Sequence, residues 1–212
     1  MQSMFRGASS FNADIGDWDT SNVTLMGDMF RGASLYNQNI SDWNTSAATT
    51  MAGMFNGATL FNQPIGEWDT SKVTMIDHMF NAATAFNQSI GNWDTSSVTS
   101  MRETFNGAAS FDQDIGDWNV SGVNNMREMF KGTSSFNQDI SNWDVSAVSS
   151  AHNMSSMFGA SALSNANKGL IHTSFSTNSN WPYDWSAHVV TLDTALLVHY
   201  PFDGNGSDMS GN

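Results

Sequence analysis

The feature that most constrains this chain is a tryptophan that returns every 25 residues: Trp18, Trp43, Trp68, Trp93, Trp118 and Trp143. Ile15, Ile40, Ile65, Ile90, Ile115 and Ile140 stand three residues before each one. Two more aromatic columns keep the period: Phe5, Phe30, Phe55, Phe80, Phe105, Phe130, and Phe11, Tyr36, Phe61, Phe86, Phe111, Phe136. A unit this short cannot bury its own apolar face, so a fixed period marks an architecture whose core exists only through stacking. Six units fill residues 1–156, and the register slips only near 151–156, where three extra residues precede Met157 and Phe158. The Trp and Ile columns are expected to form the structural core of the repeat. The Trp column also admits a second reading, a platform for stacking sugars, although a large apolar residue at constant phase is what packing between units demands.

Within each unit the spacing predicts two elements. Val23, Met26, Met29 and Phe30 fall at i, i+3, i+6 and i+7, one face of a short helix. Ser21 is placed as its N-cap and Gly32 as a left-handed C-cap residue. The segment from Phe11 to Trp18 reads as extended, its copies stacking at about 4.8 Å into a parallel ladder. Asn12, Asn37, Asn62, Asn87, Asp112 and Asn137 read as an internal side-chain ladder that satisfies turn backbone. The expected fold class is therefore α/β, with one short parallel strand and one short helix per 25-residue repeat.

Charge narrows the function. The chain has 20 acidic against 7 basic residues and a net charge of -13, with no clustered Lys/Arg face. Such a surface repels phosphate backbones, which sets nucleic acid aside, and it disfavours anionic membranes. No apolar stretch is long enough to span a bilayer, so no membrane insertion is expected. Cysteine is absent, which removes disulfides and thiolate metal sites. The acids recur at related phases: Asp17, Asp42, Glu67 and Asp117; Asp14, Asp114 and Asp139; Asp19, Asp69, Asp94 and Asp144. The first set supplies the surface candidates for binding. A calcium ladder would need several oxygens converging on one point. These columns alternate with Asn, Ser and Pro instead, so a solvated face is the default and calcium is the one ion left to test. His78, His152, His172, His188 and His199 share no phase and pair with no nucleophile pattern, so neither catalysis nor a metal centre is expected.

The run Met29-Phe30-Arg31-Gly32-Ala33-Ser34-Leu35-Tyr36-Asn37-Gln38, followed by Ile40, Trp43 and Ser46, resembles the repeats of BspA-like leucine-rich-repeat surface proteins in their Met/Phe/Trp-rich bacterial form. The resemblance implies a right-handed leucine-rich-repeat-like solenoid on a secreted or surface-anchored protein. It also implies a non-catalytic adhesion role toward an extracellular protein or glycan. The alternative is a structural spacer that projects a downstream lectin-like or enzymatic domain. Residues 157–190 read as a C-terminal cap and 191–195 as a linker. Residues 196–212 are similar to the opening strand of laminin-G or concanavalin-A-like lectin domains, where Asp203, Asn205 and Asp208 would be further calcium candidates. Met1 shares a column with Met26, Met51, Met101 and Met126, so the expectation is a fragment that starts inside a repeat and stops inside the lectin-like domain, without signal peptide or anchor.

Overall fold

Aromatic rings set the distance between successive units. In the computed structural model, which describes residues 1–190, the centroids of Phe30 and Phe55 are 5.5 Å apart, those of Phe55 and Phe80 5.7 Å, and those of Phe80 and Phe105 5.6 Å. Each ring also lies flat on the second aromatic of its own unit, with Phe55 and Phe61 at 3.8 Å and Phe30 and Tyr36 at 4.0 Å. Neighbouring tryptophans follow in step, Trp43 to Trp68 at 6.4 Å and Trp93 to Trp118 at 6.3 Å. The result is a stack of coils with one continuous core. The linker 191–195 and the lectin-like segment 196–212 lie outside the described residues.

This spacing overturns the expected α/β solenoid with a strand and a helix in every repeat. Packed α-helices keep their axes about 8–10 Å apart, so a helix in each coil could not keep the phenylalanine column in contact. Among the described residues the sole α-helix, α1 (Asn165–Phe175), follows the repeats, and no sheet forms. The segment read as a helix is instead a run of tight turns tied to the next coil. The N–H groups of Asp28, Phe30 and Gly32 donate to the carbonyls of Ala52, Met54 and Asn56, at 2.7–2.8 Å. Those of Met29, Arg31 and Ala33 turn back three residues, to Met26, Asp28 and Phe30. Alternate donors thus serve the neighbouring and the local coil, a pattern no helix has. Ser21 does not cap; its N–H donates to Asp19 Oδ1.

Two left-handed residues per coil make the alternation possible. Asp28, His78, Glu103 and Glu128 have φ of 53–56°, as does Gly53 at 65°, and four residues later Gly32, Gly57, Gly107 and Gly132 have φ of 72°. Ala82 takes that second position in its coil, at φ 54°. The apolar spacing that imitates a helix face comes from these repeated turns.

The parallel pairing also lies elsewhere than expected. Isolated parallel bridges join Leu25, Thr50, Met75, Ser100 and Asn125, in the segment read as helical. The Phe11–Trp18 segment and its copies carry no bridge, and side chains join them. Asn12, Asn37, Asn62 and Asn87 accept, through Oδ1, the N–H of the residue in the same column of the next coil, at 2.9–3.0 Å. The indole N–H of Trp43 donates to Ile15 O, and those of Trp68, Trp93, Trp118 and Trp143 repeat the bond to Ile40, Ile65, Ile90 and Ile115 at 3.0–3.1 Å. Thr20, Thr45, Thr70 and Thr95 donate their hydroxyls to carbonyls of the following coil. These buried indole and hydroxyl groups are thereby satisfied across a joint, which is what burial requires.

The last coil is closed by α1 and the chain after it. Ser164 N–H donates to Asn137 Oδ1 and Asn167 Nδ2 to Asn137 O, so the cap continues the amide ladder with its own residues. Ser164 also caps α1 by accepting from Asn167 N–H. Trp181, Tyr183 and Trp185 surround Phe158, the final ring of the phenylalanine column.

Two positions test this packing. Tyr36 is the single hydroxylated ring of its column and is fully buried, yet its hydroxyl has no partner. Burial, reinforced by the nearby Asp14 carboxylate, pushes that phenol far above its ordinary range. Tyr36→Phe should raise stability by about 1 kcal/mol, read as a later urea midpoint, because it removes an unsatisfied buried oxygen. A Cβ at Gly66 would lie 2.5 Å from Ser89 O in the next coil. Gly66→Ala should cost about 1–3 kcal/mol in the same measurement, since two backbones would have to move apart.

Candidate functional site

Most of the chemistry-bearing side chains serve the coil that carries them. On the tryptophan edge, Asp19, Asp69, Asp94 and Asp144 accept at Oδ1 the backbone N–H of Ser21, Ser71, Ser96 and Ser146, at 2.9–3.0 Å. Ser71 and Ser96 add their hydroxyls at 2.6 Å. Asn44 and Asn119 make the same turn with an amide. Asp14, Asp114 and Asp139 close equivalent turns on Gly16, Gly116 and Ser141. These short bonds to serine hold Asp19, Asp69, Asp94 and Asp144 below the usual carboxylate range.

Asp17, Asp42, Glu67 and Asp117 are exposed, one per coil, and the structure does not bring them to a common point. Among the described residues no three of His, Asp and Glu converge as a metal site would require. The histidines are equally dispersed: His78 faces Glu103 at 3.3 Å, His172 Nδ1 accepts the Trp181 indole N–H at 3.1 Å, and His152 and His188 sit in separate short 3-10 turns. His199 lies outside the described residues. Ile15, Ile40, Ile65, Ile90, Ile115 and Ile140 are buried, as are Trp43, Trp68, Trp93, Trp118 and Trp143. Trp18, with no coil stacked on its outer side, is 40% exposed against 3% for Trp43.

The other edge is built differently. It carries the bridge column Leu25, Thr50, Met75, Ser100, Asn125, and the two columns Gly27–Asp28, Ala52–Gly53, Asp77–His78, Arg102–Glu103 and Arg127–Glu128. Here the side chains change character from coil to coil while the backbone stays the same. Every ion pair of the described residues falls on three acids of this edge. Asp28 meets Arg31 at 3.3 Å and Arg6 at 3.5 Å. Glu103 meets Arg102 at 3.0 Å and His78 at 3.3 Å, and Glu128 meets Arg127 and Lys131 at 2.8 Å. The hydrogen bond from Lys131 holds Glu128 below its usual range.

Where the second and third coils carry Gly27, Ala52 and Gly53, the edge sinks into a groove of about 380 Å³, walled by Gln2, Asp28, Arg31, Met75, Asp77 and His78. A larger groove, about 550 Å³, lies between the last coil and the cap. Its one carboxylate, Asp144, is committed to the Ser146 turn, and its Asn178 amide donates to Val145 O and Val148 O. Of these two, the smaller groove is the one with an uncommitted carboxylate, Asp77. The sequence reading missed it because it followed the columns that stay constant. The signal present was the opposite one, columns that vary inside an otherwise strict repeat.

Acid should expose the role of the turn carboxylates. Their folded-state affinity for protons is depressed below the ordinary 3.8, so their stabilisation is complete above that value and is lost as the pH falls through the folded-state one. Melting temperature should stay level from neutral pH to about pH 5 and fall below about pH 4. Asp94→Asn should melt normally at pH 7, because Asn44 and Asn119 hold the same turn, and should show a shallower acid decline.

The family model described as "Mycoplasma protein of unknown function, DUF285" matches residues 1–80 and 61–172. No curated protein and no solved structure matches the chain.

Proposed function

The chain belongs to this repeat family of unknown function, DUF285, and for it we propose a non-catalytic binding module that presents one edge of its coil stack to an extracellular protein or glycan. The observation that carries the reading is the division of the repeat. Its constant columns, Phe, Met, Ile, Trp and Asn, are consumed by packing and by hydrogen bonds between coils. Its variable columns, at 25, 27 and 28 and their copies, share one accessible edge. A rigid frame with a changeable face can acquire a partner without disturbing its core. The resemblance to BspA-like surface proteins supports an adhesive role at a cell surface.

A second reading, a spacer that holds a further domain away from its anchor, is favoured by the uninterrupted hydrogen-bond ladders, which resist bending. The two separate in a single measurement. The purified chain should bind a restricted set of spots on an array of extracellular-matrix proteins and glycans, with the same set bound with and without calcium. Binding to no spot would overturn the module in favour of the spacer, and a calcium requirement would return attention to Asp17, Asp42, Glu67 and Asp117.

A further inference from the structure

We infer that the groove floored by Gly27, Ala52 and Gly53 is a docking site for a lysine or arginine side chain of a partner protein, with Asp77 as the residue that reads its charge. The inference rests on the binding-module reading and names the chemistry of the partner.

Asp77 is set apart from the other acids of its edge. Asp28, Glu103 and Glu128 each face a basic side chain within 3.5 Å. Asp77 faces none among the described residues. Its Oδ1 accepts the Ser100 hydroxyl at 2.6 Å and the Arg102 N–H at 2.9 Å, which fixes the carboxylate in place. Its Oδ2 makes no hydrogen bond in the structure. A carboxylate oriented by two donors and left without a cation suits an incoming ammonium or guanidinium, because its side-chain entropy has already been lost.

The shape beside it favours a long cationic side chain over a bare ion. A single carboxylate is a poor cage for a hard cation, which takes six or more oxygens. Met75, 41% exposed, borders the groove, its floor is Gly27, Ala52 and Gly53, and Gln2, Thr50 and Arg31 complete the lining, with the Arg31 charge taken up by Asp28 at 3.3 Å. Lys and Arg have methylene stems that lie along such apolar surface while the head reaches a charge. Gly53 keeps the floor open, because a Cβ there would meet the Asp28 carboxylate. Ala52 stands where the first, fifth and sixth coils carry Gln2, Arg102 and Arg127, so this column accepts large residues and is small only at Gly27 and Ala52 by choice of side chain. The overall charge of -13 adds long-range attraction for a basic partner.

The test uses the full chain and an array of immobilised extended octapeptides, each with Lys, Arg, Glu or Leu at the centre and apolar or polar neighbours. Wild type should retain peptides with central Lys or Arg beside an apolar residue, more weakly as salt rises. Asp77→Asn keeps the Oδ1 acceptor and should melt as wild type does, yet lose that retention at least about 10-fold, the scale of one lost charge-assisted hydrogen bond. Ala52→Arg, which fills the floor, should lose it as well, and Asp117→Asn on the opposite edge should not. Retention without preference for Lys or Arg, or retention unchanged in Asp77→Asn, overturns the assignment. The same variants on the matrix and glycan array separate the two readings. A spot that binds wild type and Asp77→Asn alike removes the groove and leaves the binding module standing. Silence on both arrays removes both.

Discussion

Ring-on-ring contact at about 5.5 Å between coils is the constraint on which the rest of this structure depends. It is too close for any element thicker than a single backbone, so every coil is drawn as turns and extended links. Once the backbones are that near, each must hydrogen-bond to its neighbours or leave buried groups unpaired. The turn segment meets this demand with main-chain bonds, and the Phe11–Trp18 segment and its copies with Asn, Thr and Trp side chains. Small residues follow from the same distance: Gly66, Gly91 and Gly116 each face a carbonyl of the next coil at under 3 Å from where a Cβ would sit.

The left-handed positions show how one geometry accepts different chemistry. Glycine is the expected occupant at positive φ, and the position of Gly32 mostly keeps it. Four residues earlier the chain places Asp28, His78, Glu103 and Glu128, residues that carry strain of about 1–2 kcal/mol each at such φ. These same residues form the ion pairs of the variable edge. Side chains project from a left-handed residue in a direction unavailable to ordinary turns, so the strain and the charged edge are two aspects of one local choice.

Polar chemistry is correspondingly divided between the two edges. Along the tryptophan edge, carboxylate and amide are interchangeable because both accept one backbone N–H, as Asp19, Asn44, Asp69 and Asn119 illustrate. Along the bridge edge they are not interchangeable, because charge there is balanced by specific neighbours. Function is argued from the second edge for that reason. Its residues are the ones the fold does not dictate.

The sequence alone determined that the chain is a stack of 25-residue units, which columns recur in it, and that Asn12, Asn37 and their copies serve as a ladder. All of these follow from period and from which side chain can hydrogen-bond a turn. It could not determine the element type. The spacing of Met26, Met29 and Phe30 is shared by a helix face and by successive tight turns, and only the distance to the next coil decides between them. Neither the expected strand nor the expected helix forms in the repeat for this reason, and the isolated parallel bridges fall at Leu25 and Thr50, inside the segment expected to be helical. Nor could the sequence mark Asp77 among so many acids. Its distinction is a missing cation and a small-residue floor supplied by Gly27, Ala52 and Gly53 from the two preceding coils, a juxtaposition that exists only once those coils are stacked.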